Sequence, residues 1–223
     1  SLPGVAAAGQ SAWNGLERRT GLPWPIWSPS GWRKLAAAVR QADVVHIHDF
    51  IYPSSIAAVW LASRYGRPVL ITQHIGDIDY ANPLLRSAIR WINRNLGRAL
   101  LSRADQVVFI SPKVKALFEG FTQFRAPPVY WPNGVDTGQF TPASTLNRCA
   151  LRKQFEAHDD LPIILFVGRF VEKKGLRLLR ELATQKPDWQ WWFAGWGDSG
   201  DLHPASWQLP QVRVWEGYSG ASL

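Results

Sequence analysis

At 223 residues, with 46% hydrophobic and 19% charged side chains, the chain has the balance of a globular protein with one large or two small domains. No apolar run approaches the roughly 20 residues that a membrane-spanning helix needs, and the opening SLPGVAAAGQSAW has neither a basic segment nor a long apolar stretch, so it does not read as a signal peptide. A net charge of +8 and a pI near 10.0 call for an anionic partner: phosphate groups, anionic lipid or nucleic acid.

Residues 1–30 are rich in Gly, Pro, Ser and Trp with no sustained period, and are expected to be loop and edge material. A helix is expected over Gly31–Ala42, with Trp32, Leu35, Ala36 and Val39 on its inner side. Asp43–Asp49 reads as a strand whose Val44/His46/His48 and Val45/Ile47 sets face opposite ways. Ser54–Tyr65 reads as a helix closed by Gly66 and Pro68, and Pro68–His74 as a second, buried strand. One long helix is expected over Pro83–Arg103. Arg86, Arg90, Arg94 and Arg98 recur every four residues and form one stripe beside the apolar Leu85, Ile89, Ile92, Leu96 and Leu100. Such a helix fits either an anionic membrane surface or a core-packed position with a solvated basic face.

Ala104–Ser111 is the third expected strand, Pro112–Glu119 a short helix and Pro128–Trp131 a fourth strand. Pro132–Asp136 makes a turn into a polar linker reaching about Asn147, followed by a helix near Arg148–Phe155. Ile163–Val167 has the pattern of a strand buried on both faces, and Leu176, Leu178, Leu179, Leu182 and Ala183 recur at helical spacing. Between them stand Arg169, Lys173, Lys174 and Gly175. Cations at the carboxyl end of a strand, just before a helix N-terminus, read as an anion site or as a solvated basic turn. Further strands are expected at Trp189–Ala194 and Val212–Trp215. Strands alternating with helices mean βαβ units and parallel sheets, divided by the linker near 132–147.

The only cysteine, Cys149, excludes an internal disulfide framework and suits a reducing cytoplasm. Some of the 13 tryptophans are expected at the surface, where the ring serves sugar stacking or a membrane interface. No methionine is present, even at position 1, so the chain reads as a piece of a longer product or one with its ends missing. His46 and His48 share a strand face, but no further ligand stands at a suitable spacing for zinc, so no metal site is expected there. Asp77-Ile78-Asp79 has the form of a divalent-metal motif and is read instead as a loop.

The segments ADVVHIHDF (42–50), RPVLITQHIGD (67–77), SRADQVVFISPKVKALF (102–118), VYWPNGVDTGQFTP (129–142), ILFVGRFVEKKGLRLL (164–179), WWFAGWGDSG (191–200) and VRVWEGYSGASL (212–223), in this order, resemble the retaining glycosyltransferases of family 4. The resemblance implies the α/β GT-B fold: two doubly wound, Rossmann-like parallel-sheet domains facing a cleft. These would be an acceptor-side domain over 1–140 and a nucleotide-sugar-binding domain over 141–223. Both are expected to be incomplete, because the family's opening strand with its glycine-rich loop, and its later loop with two glutamates, have no match. These residues alone are not expected to catalyse transfer.

The same resemblance implies transfer of a sugar, with retention, from a nucleoside diphosphate sugar to a glycan or lipid-linked acceptor in polysaccharide or glycolipid synthesis. The alternative is a non-catalytic nucleotide-sugar-binding module. Arg169 and Lys174 match the family's phosphate-binding pair, a forked guanidinium beside a point charge. Glu172 is expected to orient them, and Gly168 and Tyr218 to contact the donor. His74 matches the family histidine that faces the reaction centre. Gly76 is expected to allow close approach of ligand, and His46, His48 and Asp77 to shape the acceptor side. Neither cofactor nor essential metal is expected, and no nucleic-acid partner. The expected location is cytoplasmic, peripheral on the inner membrane face through the Pro83–Arg103 helix.

Overall fold

The computed structural model describes residues 12–13, 25–77, 83–158, 161–197 and 199–217. The chain divides into two compact units, Ser1–Val135 and Asp136–Leu223, and both have the α/β, parallel-sheet character expected from the sequence.

In the first unit, β1 (Ala12–Trp13) and β2 (Ile26–Trp27) form a short antiparallel pair. Helix α1 spans Pro29–Gln41 and begins earlier than its apolar period, because Ser28 Oγ accepts from Gly31 N at 3.2 Å and Pro29 takes the first-turn position. There follow β3 (Val45–His48), α2 (Pro53–Tyr65) and β4 (Val69–Gln73), with Gly66 closing α2 in the left-handed region. The last parts are α3 (Pro83–Ile92), a π-helical segment (Asn93–Gly97), α4 (Arg98–Leu101), β5 (Gln106–Phe109), α5 (Pro112–Glu119) and β6 (Val129–Tyr130).

The sheet is parallel throughout in the order β3-β4-β5-β6, with His46 opposite Leu70 and His48 opposite Thr72. Val45, Ile47, Val69, Ile71, Val107 and Phe109 lie on its buried face and join Val59, Leu101 and Phe118 in one core. The opposite face carries His46 and His48, both exposed, and the half-buried Thr72. Strand alternation thus sets the histidines apart from the core.

The long helix expected over Pro83–Arg103 is not one unbroken α-helix. Its π segment takes an extra residue per turn, which turns later residues back by about 100° relative to a straight α-helix. The arginines therefore do not form one uniform stripe. Arg86 Nε is buried, Arg90 lies 3.8 Å from Asp77, and Arg94, within the π segment, and Arg98, just after it, are exposed. Gly97 sits at the close approach: a Cβ there would lie 2.6 Å from Phe50 Cζ.

The second unit contains α6 (Thr145–Gln154), β7 (Ile163–Arg169), a 3-10 turn (Glu172–Lys174), α7 (Leu176–Gln185), β8 (Gln190–Trp196) and β9 (Val212–Glu216). Helix α6 starts three residues before the expected Arg148, because Ser144 caps it through Asn147 N. The sheet is parallel, in the order β7-β8-β9. Ile164 and Phe166 pack on a core of Phe170, Leu176, Ala183, Trp191, Phe193 and Trp207.

The expectation that β7 is buried on both faces fails: Leu165 and Val167 are 59% and 55% exposed. β7 is an outer strand of its sheet, and among the described residues no helix covers that part of its second face. An apolar run shows that both faces can be buried, not that a second layer is present. The tryptophans divide as expected. Trp191, Trp192 and Trp207 are core residues, whereas Trp13, Trp60, Trp91, Trp131 and Trp196 lie at the surface.

Candidate functional site

The sequence-derived site residues fall into two groups, one on each unit, at the carboxyl ends of parallel strands, where open α/β sheets bind ligands.

On the second unit the group is the turn from β7 into α7. Arg169 ends β7 with its side chain exposed, and Lys174 is exposed in the 3-10 turn. Gly175 then takes φ +83 and opens α7 with no side-chain cap. The first amides of α7 therefore have no side-chain acceptor, unlike those of α1 and α6, which serine caps. Among the described residues neither Arg169 nor Lys174 forms an ion pair. Two unpaired cations beside an uncapped helix N-terminus make a positive site that an anion can neutralise. Glu172 does not orient them as expected, because its Oε1 lies 3.0 Å from Arg177 Nη2. The first turn of α7 brings Arg177 within reach, so the ion pair forms along the helix start and not across the turn.

Beneath this turn the strand ends come unusually close. Gly168 pairs with Gly195 in register, and a Cβ on Gly195 would stand 1.8 Å from the Gly168 carbonyl oxygen. Phe170 N donates to Trp196 O at 2.7 Å and so ties the segment after Arg169 to β8. Tyr218 and Asp198 lie outside the described residues.

On the first unit, His46, His48 and His74 come together. His46 Nε2 lies 2.8 Å from Thr72 Oγ1, and His48 Nδ1 lies 2.9 Å from His74 Nε2. The parallel register forces this arrangement, since His48 opposes Thr72 and His74 is the next residue on the Thr72 face. Among the described residues no group of three or more His, Cys, Asp or Glu side chains is placed to hold a metal ion.

Asp49, the last residue of the expected strand, is 7% exposed, and its Oδ1 accepts from His74 N at 2.8 Å and Ile75 N at 3.2 Å. Its backbone has φ +58, which turns the chain back toward β4. Buried Gln73 accepts from Phe50 N and donates to Ile75 O. The only sequence signal for this clamp was an acidic residue directly after the HIH strand.

Gly76 does not offer its open side to a ligand: a Cβ there would meet Leu117 Cδ2 at 3.1 Å and Val114 Cγ2 at 3.4 Å, both on α5. Its small size serves packing. Asp77 is held by Asn93 Nδ2 at 2.8 Å and by Arg90, so the π segment anchors this loop. Asp79 lies outside the described residues.

The His46 imidazolium is disfavoured, first by partial burial and then by repulsion from His48 and His74, so its pKa falls below the usual 6.5. Between the lowered value and about 6.5 the unfolded chain then binds more protons than the folded chain. Stability is expected to rise with pH across that window and level off above it. Urea titrations from pH 5 to 8 check this, and in His46→Gln this contribution to the pH slope disappears. An unchanged slope in the variant would reject the assignment.

Residues 12–139 match Glycosyltransferase Family 4. Over 134 residues the chain is 29% identical to the GDP-mannose-dependent alpha-(1-6)-phosphatidylinositol monomannoside mannosyltransferase of Mycolicibacterium smegmatis, covering 57% of this chain and 32% of that protein. A monoacylated-substrate counterpart from Corynebacterium glutamicum is 22% identical over 188 residues, covering 79% and 47%. The chain thus spans about a third to a half of the length of these relatives. Among solved structures, sucrose-phosphate synthase from Thermosynechococcus elongatus superposes with a TM-score of 0.63 at 19% identity, covering 85% of this chain and 49% of that one. Anabaena HepE in complex with UDP-glucose gives 0.62 at 18% identity, covering 92% and 58%. These likenesses show the GT-B type of fold.

Proposed function

The chain belongs to glycosyltransferase family 4, and from that premise we propose that it moves a sugar, with retention of configuration, from a nucleoside diphosphate sugar to a lipid-linked acceptor. The names of the two mannosyltransferase relatives support GDP-mannose as donor and a mannosylated phosphatidylinositol as acceptor. The observation that carries the reading is the unpaired Arg169 and Lys174 beside the uncapped start of α7. Arg169 forks across two diphosphate oxygens, Lys174 adds a point charge, and the first amides of α7 supply further donors. Together they stabilise the charge that develops on the leaving diphosphate without an essential metal. His74 acts at the transferred sugar, with the His46–His48 face and the Asp77 loop on the acceptor side.

The protein works as a peripheral protein on the inner membrane face. Among the described residues no helix is long and apolar enough to cross a membrane. Trp91, 66% exposed on α3, with Arg94 and Arg98 beyond it, supports contact with an anionic bilayer.

Incubation of a protein that joins these residues to the family's glycine-rich loop and two-glutamate loop with GDP-mannose, EDTA and phosphatidylinositol mannoside in anionic vesicles tests the reading. The expected result is an α-linked mannosyl product that EDTA does not diminish, with a thermal shift on GDP alone and co-sedimentation with the vesicles. Binding of GDP with no transfer would favour the non-catalytic module. No GDP-dependent shift would reject the donor assignment.

A further inference from the structure

We propose that His48 is a positioning residue for His74: the bond between His48 Nδ1 and His74 Nε2 holds the His74 imidazole in one orientation and one tautomer. The inference deepens the reading of His74 as the group that acts at the sugar, and rests on it for its functional meaning.

The backbone of His74 is already fixed from one side. Asp49 accepts from the amides of His74 and Ile75, and Gln73, 2% exposed, bridges Phe50 N and Ile75 O. What this leaves free is rotation of the His74 ring about its side-chain bonds and the choice of which ring nitrogen carries the proton. The 2.9 Å contact with His48 fixes the ring orientation and couples the proton position on His74 to that on His48. Between two neutral imidazoles one ring must donate and the other accept, so the proton position on His48 dictates that on His74. If His48 donates from Nδ1, His74 carries its proton on Nδ1. If His74 donates from Nε2, its Nδ1 is an acceptor. In either case His74 Nδ1, which bonds no other described residue, presents one defined character to a ligand.

A positioning residue must itself be held, and His48 is. Its ring lies against that of His46, with centroids 4.5 Å apart, and His46 Nε2 reaches Thr72 Oγ1 at 2.8 Å. The contacts Thr72–His46–His48–His74 thus start and end on the same segment, with Thr72 two residues before His74. His48 is exposed on its sheet face and belongs to no hydrophobic core, so packing does not account for its place in the row. An outer partner that fixes tautomer and ring orientation is a recurrent support for working histidines.

Two-bond proton–nitrogen correlation spectra of the 15N-labelled chain at pH 7.5 test this without any ligand. The wild type should show His74 as a single tautomer. His48→Leu, with the backbone amide spectrum of β4 retained, should show loss of that pattern to a mixture. His48→Asn, whose amide occupies the Nδ1 position, should restore a single form. A mixture already present in the wild type, or an identical His74 pattern in wild type and His48→Leu, would overturn the proposal. If the leucine variant fails to fold, His48→Ala takes its place and the same comparison of His74 patterns decides. Because no nucleotide is added, failure here is distinct from failure of the donor assignment, which the thermal shift on GDP reads.

Discussion

Arg169→Ala should lower affinity for GDP by about 10- to 100-fold and transfer by about 100- to 1,000-fold, with the fold unchanged. A charge-assisted hydrogen bond contributes about 1.5–3 kcal/mol, and removing one donor to a developing oxyanion costs about 100- to 1,000-fold in rate. The site offers few substitutes. Lys174 is a single point charge, and the amides of α7 carry only the partial charge of a helix end. Arg169 is exposed at the end of β7 and forms no ion pair among the described residues, so its loss removes no native partner. Urea stability should change by no more than about 0.5 kcal/mol, as for most surface changes. Calorimetric titration of GDP into wild type, Arg169→Ala and Arg169→Lys measures the effect, with the lysine variant intermediate because it keeps charge but not the fork. Equal GDP affinity in all three would remove Arg169 from the site.

Gly195→Ala should destabilise the second unit by about 3 kcal/mol or more. Overpacking typically costs about 1–3 kcal/mol when side chains can shift. Here the obstacle is main chain: the added Cβ would stand 1.8 Å from the Gly168 carbonyl oxygen. Gly168 is paired in register with Gly195 inside the β7–β8 ladder, so its carbonyl cannot turn aside without loosening that pairing. The register from Ile163–Gln190 to Arg169–Trp196 must therefore loosen at its carboxyl end. That end carries Arg169, so GDP affinity should fall together with stability. Urea unfolding followed by tryptophan fluorescence reads the change, since Trp191, Trp192 and Trp207 are buried in this unit. A midpoint equal to the wild type would show that the strands can separate at no cost.

Much of the candidate site was legible before folding. His46 and His48 two residues apart, and His74 two residues after Thr72, already lie on common strand faces, and a parallel pairing of the two strands sets one row beside the other. Arg169, Lys174 and Gly175 between an apolar strand and an amphipathic helix already stood where either an anion site or a solvated basic turn would lie. The supports were not legible. Asp49, Gln73 and Asn93 act through bonds to backbone or side chains between 2 and 26 residues away, which no local pattern encodes. Gly76 was read as a glycine near a ligand, yet it is small because α5 passes close by, and Gly195 likewise meets the Gly168 backbone. Glu172 stood beside two cations in sequence and paired with a third, because helix geometry placed Arg177 nearer.

The sequence by itself determined the class of fold, the order of its strands and helices, and the residue types that face the ends of the strands. These follow from period, capping residues and glycine punctuation, which act over a few residues. The tertiary structure alone decided which strand faces are covered, as at Leu165 and Val167, and where the long helix yields a π turn to seat Gly97 against Phe50. It also decided which partner holds each candidate side chain, so that His74 is clamped by Asp49 and met by His48. Burial and hydrogen bonding between distant segments depend on which surfaces meet, and that is fixed only when the whole unit packs.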